Sequence, residues 1–173
     1  MDDNARTFAD ERRRLVAELT LERNQLWRNI EWCRIRDIDR PFSGEWSLKD
    51  IVGHVASHEA EVVSSLRDYR SGHPVTYFEA TAETDRWNAD HVERKRGVDF
   101  WSLLEQLRNG RARLLEELEY IPDELLADET AIEYRLVRSV IDHDTVHWHD
   151  IAARVAGMEG ARTMRRPESV ASR

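Results

Sequence analysis

The sequence predicts an all-α fold, a four-helix bundle. Three observations carry that expectation. Apolar residues recur at spacings of three, four and seven over stretches longer than twenty residues, the period of a helix with one buried face. Only 7 Gly and 4 Pro interrupt the 173 residues. No segment has the strict apolar–polar alternation of a half-buried strand. A chain of this length suits one domain, and folding buries roughly 70% of its unfolded surface without help from a disulfide or a structural metal.

In the first segment Phe8, Leu15, Leu19, Leu26, Ile30 and Cys33 trace one stripe, which predicts a helix over 5–34. Pro41 and Gly44 in "RDIDRPFSGEW" then break the pattern. Ser47 as N-cap with Asp50 three residues on is a capping-box variant, and Trp46 can staple onto Ile51. The second helix is expected over 48–70, stopped by Gly72 and Pro74. A short helical piece in "ETDRWNADHVERKR" follows. Phe100, Leu103, Leu104, Leu107, Leu114, Leu115 and Leu118 predict a third long helix over 98–119. "YIPDELLADETAIEY" reads as a connector with one helical turn, and the fourth long helix covers 134–156. The connection between the second and third long helices is long enough for a crossover. Residues 1–157 are therefore expected to form the bundle domain, and 158–173 a polar, disordered tail.

Charge and composition exclude some partners. The formal net charge is −8, and the basic clusters "ERRR" at 11–14 and "RKR" at 94–96 sit among acids as solvated helix faces. Nucleic acid is not expected, since its binding needs a basic face to displace counterions from phosphates. No run of about 18 apolar residues suggests a membrane span. "MDDNARTFADERRR" lacks the apolar core of a signal peptide. Cys33, the single cysteine, rules out an intrachain disulfide and fits a reducing compartment, so the cytoplasm is expected. On an apolar stripe, Cys33 reads as a packing residue.

Histidines occupy positions where apolar residues belong. Leu136, Val140, His143, His147, Ile151 and Val155 form one stripe of the fourth helix; Ile51, His54, His58, Val62 and Leu66 form another on the second. Residues four apart on a helix are neighbours, so His143 and His147 can reach one ion. Buried imidazoles need partners for their ring nitrogens, and a divalent cation on the bundle axis would serve several at once. The plainer alternative is a set of satisfied core histidines; one such pair among 7 His arises readily by chance. His73 and His91 lie in loop-like or charged surroundings and have no assigned role. Trp27, Trp32, Trp101 and Trp148 are amphipathic helix residues, placed either to pack or to line a hydrophobic pocket beside the histidines.

"GEWSLKDIVGHVASHE" and "HDTVHWHDIA" resemble the second-helix and last-helix signatures of the DinB-like superfamily. "WNADHVERKRGVDFWSLLEQLRNGRARLLEELEYIP" is similar to the middle region of its isomerase-like members, so the resemblance spans roughly 8–156. It implies a DinB-type bundle with a metal triad at His54, His143 and His147, and leaves His58 as a neighbour of the ligands. Glu59 and Asp150 are candidates to orient ligand rings by accepting the second ring N–H. His149 matches no catalytic position of the family. Three neutral imidazoles suit Zn²⁺, Ni²⁺ or Fe²⁺ and leave an open position, as in catalytic sites. In relatives that position is thought to bind a low-molecular-weight thiol, whose pKa the metal lowers. The isomerase branch often has Glu where this chain has His143, and usually carries a second domain, which departs from the pattern here. The resemblance thus implies a thiol-dependent S-transferase or isomerase acting on a small molecule, and a homodimer. The alternatives are a metal-free small-molecule binding or resistance bundle, and a stress-related structural dimer.

Overall fold

In the computed structural model, which describes residues 3–75 and 82–163, the chain is all-α. The helices are α1 (Asp3–Trp32), α2 (Leu48–Arg70), α3 (Ala82–Lys95), α4 (Phe100–Leu118), α5 (Asp123–Ala127) and α6 (Ile132–Thr163). A 3₁₀ turn at Ile35–Asp37 and a ribbon of β1 (Pro41–Ser43) and β2 (Trp46–Ser47) join α1 to α2.

The local signals explain most boundaries. The β1–β2 ribbon is antiparallel and pairs Pro41 with Ser47 and Ser43 with Trp46. It turns through Gly44 at φ +59, a backbone state that costs glycine little. Five residues are too few for periodicity to register, so the sequence offered only a break there. Ser47 Oγ accepts from Asp50 N at 3.1 Å, and the Asp50 carboxylate accepts from Ser47 N at 2.9 Å, so the capping box sets the first turn of α2. Asp99 caps α4 by accepting from Ser102 N at 3.0 Å, which starts that helix at Phe100 rather than 98.

The largest departure from the expected boundaries is at the end of the last helix. α6 continues through Gly157 to Thr163, although the sequence suggested an end at 156. Each of the two glycines, Gly157 and Gly160, costs a helix only about 1 kcal/mol, and no proline lies within it. The remainder of the expected tail, 164–173, lies outside the described residues.

Side-chain pairs give the directions of the long helices. Along α2 and α4 the contacts rise together: Gly53 faces Leu103, Glu59 pairs with Arg111, and Arg67 with Glu117. α1 and α6 also run parallel, through Glu18 with Arg138, Arg23 with Asp144 and Glu22 with Trp148. α2 opposes α6: Val62 and Leu66 share a core with Leu136 and Val140, while Ile51 and Val55 share one with Ile151. A parallel α2–α4 pair forces the chain to travel back along its length between them. The segment containing α3 makes that return.

The apolar interior comes in two halves. One holds Leu15, Leu19, Val62, Leu66, Leu114, Leu118, Leu136 and Val140. The other holds Leu26, Ile30, Ile51, Val55, Leu103, Leu107 and Ile151. Between them, at the same level on all four long helices, lie buried polar side chains: Arg23, His54, His58, Glu59, Arg111 and Asp144. Among the described residues no helix is long and apolar enough to cross a membrane.

Candidate metal centre

α2 and α6 deliver the histidines to the polar layer. His143 Nε2 lies 2.8 Å from His54 Nε2 and 3.2 Å from His147 Nε2. Each of the three residues offers one ligand atom, and those atoms all stand within 4.8 Å of one another. Nitrogens bound to one zinc-like ion at about 2.0–2.1 Å in tetrahedral order would sit about 3.3 Å apart. The donor set fits a divalent ion.

Electrostatics favours the form a metal needs. Burial is the main cause that pushes His54 down to about 3 and His58 down to about 4. Burial and the surrounding imidazoles hold His143 well below its ordinary value. His147 is lowered as well, with Asp150 and Asp144 acting against the shift. All four rings are therefore neutral at pH 7, with lone pairs available.

His58 does not join the triad's nitrogens. Its ring stacks on His143 at 3.9 Å with planes 6° apart, which fixes the His143 ring from one side. Trp46 sits 4.9 Å from the His54 ring, on the other side of the centre. Of the tryptophans singled out from the sequence, Trp32 and Trp101 are exposed. Trp27 lies under Arg108, and Trp148 donates to Glu22 at 2.6 Å. Among the described residues, Trp46 is the aromatic neighbour of the centre. Its place before the N-cap of α2, two turns from His54, is the signal that could have identified it.

The two carboxylates proposed to orient the rings do something else. Glu59 accepts from Arg111 Nε at 2.6 Å and lies 3.1 Å from Arg23. Asp150 is exposed and acts on His147 only through its charge. Nδ1 of both His54 and His143 is buried without a hydrogen-bond partner among the protein atoms. Glu59 belongs instead, with Asp144, to a quartet that the sequence did not reveal. Arg23 and Arg111 both bind Asp144, at 2.8 Å each, and both pair with Glu59. Two guanidinium and two carboxylate groups balance, which offsets the cost of burying them in the core. Arg23 also donates to Leu107 O at 3.1 Å, and Arg111 to Leu19 O, so each arginine ties α1 to α4. Asp144 adjoins His143 in sequence, and the quartet fixes the turn of α6 that carries the ligands.

The remaining sites are accounted for. His149 is exposed and stacks on Trp148 at 3.6 Å; His91 stacks on Trp87 at 3.7 Å. His73 lies in the loop after α2. Cys33 is half-buried against the second core half, its Sγ 3.4 Å from Asn29 O, and burial raises its thiol to about 11.

No family model matches the chain, and no curated protein matches it. Among solved structures, an uncharacterised protein from Escherichia coli UTI89 is similar, with a TM-score of 0.73 at 12% identity, covering 84% of this chain and 92% of that chain. At that identity the likeness speaks for the shared helical fold and nothing beyond it.

Proposed function

We propose that the protein is a metal-dependent enzyme, a DinB-type four-helix bundle that performs a thiol-dependent transfer or isomerisation on a small molecule. One observation carries this: three neutral imidazole nitrogens from two helices converge in a polar layer that the rest of the core isolates. His54, His143 and His147 would hold the ion, Zn²⁺, Ni²⁺ or Fe²⁺. When bound, it would supply a positive charge that lowers the pKa of a low-molecular-weight thiol. The chain's own residues prepare for this. Burial keeps the three rings unprotonated, the His58 stack orients His143, and the quartet fixes α6 against α1 and α4. The enzyme is proposed to act in the cytoplasm as a homodimer.

Elemental analysis of protein purified without an affinity tag tests the reading. The expected result is close to one transition-metal ion per chain, and loss of that ion in His54→Ala with unchanged helical circular dichroism. Wild-type protein that binds no added Zn²⁺, Ni²⁺ or Fe²⁺ at micromolar concentration would remove the enzyme reading.

A further inference from the structure

Among the described residues, one cation without a counter-ion stands beside the histidine centre. Lys49 and Lys95 are the only lysines in the chain. Lys49 is engaged: its Nζ donates to Arg96 O at 2.9 Å and lies 3.9 Å from Asp39. Lys95, the last residue of α3, is half-buried, and its side chain makes no ion pair or hydrogen bond among the described residues. Burial alone lowers its pKa. The other buried cations, Arg23 and Arg111, are paired twice over. Withdrawing an ammonium from water with no anion to meet it is unfavourable, so Lys95 is an exception that calls for a ligand.

Its position says where that ligand would be. The Lys95 stem crosses Gly53, the residue before His54: a Cβ added there would stand 3.4 Å from Lys95 Cδ and 3.5 Å from its Cβ. The charge of Lys95 acts on the His54 ring, and His91 lies one turn earlier on α3. His91 is held in place by its stack on Trp87 and by Nδ1 at 2.9 Å from Trp87 O. With Trp46 of β2 against it at 4.9 Å, the His54 ring meets both an aromatic face and the charge of Lys95. Lysine offers a compact charge on a flexible stem, suited to one terminal anionic group.

We propose that Lys95 is an anion-binding residue of the histidine site, and that the small molecule taken there carries a carboxylate which Lys95 neutralises. The assignment deepens the metal-centre reading above and rests on it. With only two lysines, ¹³C-lysine labelling gives two ε-resonances, assigned by loss of one in Lys95→Arg. In zinc-loaded protein, acetate and thioglycolate should move the Lys95 resonance and leave that of Lys49 in place, while 2-mercaptoethanol moves neither. In cobalt-loaded protein, the thiolate-to-metal absorption band should give a Kd for thioglycolate about tenfold below that for 2-mercaptoethanol. The ratio should approach one in Lys95→Gln and persist in Lys95→Arg. A Lys95 resonance unmoved by both carboxylates, or an unchanged ratio in Lys95→Gln, overturns the proposal. If neither thiol produces the band while acetate still shifts Lys95, the thiol chemistry falls and the carboxylate subsite stands.

Discussion

His147 is half-buried at the edge of the triad, with its Nε2 3.2 Å from His143, so its removal opens no large cavity. His147→Ala should reduce metal content at least tenfold with helical content unchanged, measured by elemental analysis and circular dichroism. Retained stoichiometric metal would show that the ion sits elsewhere. The same rings make stability depend on pH. His54 and His58 are lowered from 6.5 to about 3 and about 4. Below pH 6.5 the unfolded chain gains protons that the folded chain refuses. Stability from these groups is therefore full above pH 6.5 and falls as pH drops towards 3, by up to about 1.4 kcal/mol per pH unit for each ring that stays neutral. Urea unfolding of metal-free protein should give a lower midpoint at pH 5 than at pH 7. An unchanged midpoint would mean that the rings are not buried in solution.

At the scale of the helices, the buried quartet couples four elements. Arg111→Met leaves Glu59 and Asp144 sharing Arg23 alone, and breaking such a buried pair costs about 3–5 kcal/mol. Calorimetry should show a melting temperature lower by about 10 °C. Gly110 on α4 supplies a second test. A Cβ there would stand 2.9 Å from Glu59 Oε2, an atom whose carboxylate two arginines hold. Alanine gains about 1 kcal/mol of helix propensity, but overpacking against a fixed group costs about 1–3 kcal/mol. Gly110→Ala should therefore destabilise, and a raised melting temperature would refute the tight approach of α2 to α4. These positions explain what the sequence could and could not reveal. The triad was legible because histidine on an apolar stripe is conspicuous and because the two segments resemble known signatures. The quartet was not, because its arginines fall in gaps that periodicity tolerates: Arg23 between Leu19 and Leu26, Arg111 between Leu107 and Leu114. Each gap spans seven residues, two helical turns, and the residue one turn in faces the core just as its apolar neighbours do. Glu59 and Asp50 look equally acidic in sequence, yet one lies in the core and the other caps a helix. Spacing from Ser47 marks Asp50 as the capping partner, but only the packing of all four helices places Glu59 between two arginines.

For the molecule as a whole, large apolar side chains remain in water. Trp32, Ile35 and Trp101 are 70%, 73% and 65% exposed. Aromatic residues of this size are enriched at protein interfaces, which supports the proposed homodimer. Sedimentation equilibrium at micromolar concentration should give about twice the 20.3 kDa of one chain. A single 20.3 kDa species would remove the dimer. The α1–α6 and α2–α4 parallel pairs also mean that the histidine centre depends on the last long helix: α2 brings His54, and α6 brings both its partners.

The balanced quartet has a consequence for the order of synthesis. Arg23 and Asp144 are 121 residues apart, and His54 and His143 are 89. While the chain is emerging from the ribosome, α1, α2 and α4 are complete before Asp144 exists. At that stage Arg23 and Arg111 share Glu59 alone, so closing the three helices would bury an uncompensated positive charge. Closing the three helices before α6 arrives is therefore disfavoured. Arrival of α6 delivers the missing carboxylate and two of the three imidazoles in five successive residues, 143–147. Charge neutralisation and assembly of the proposed metal site thus become one event, complete only in a chain translated through its final helix.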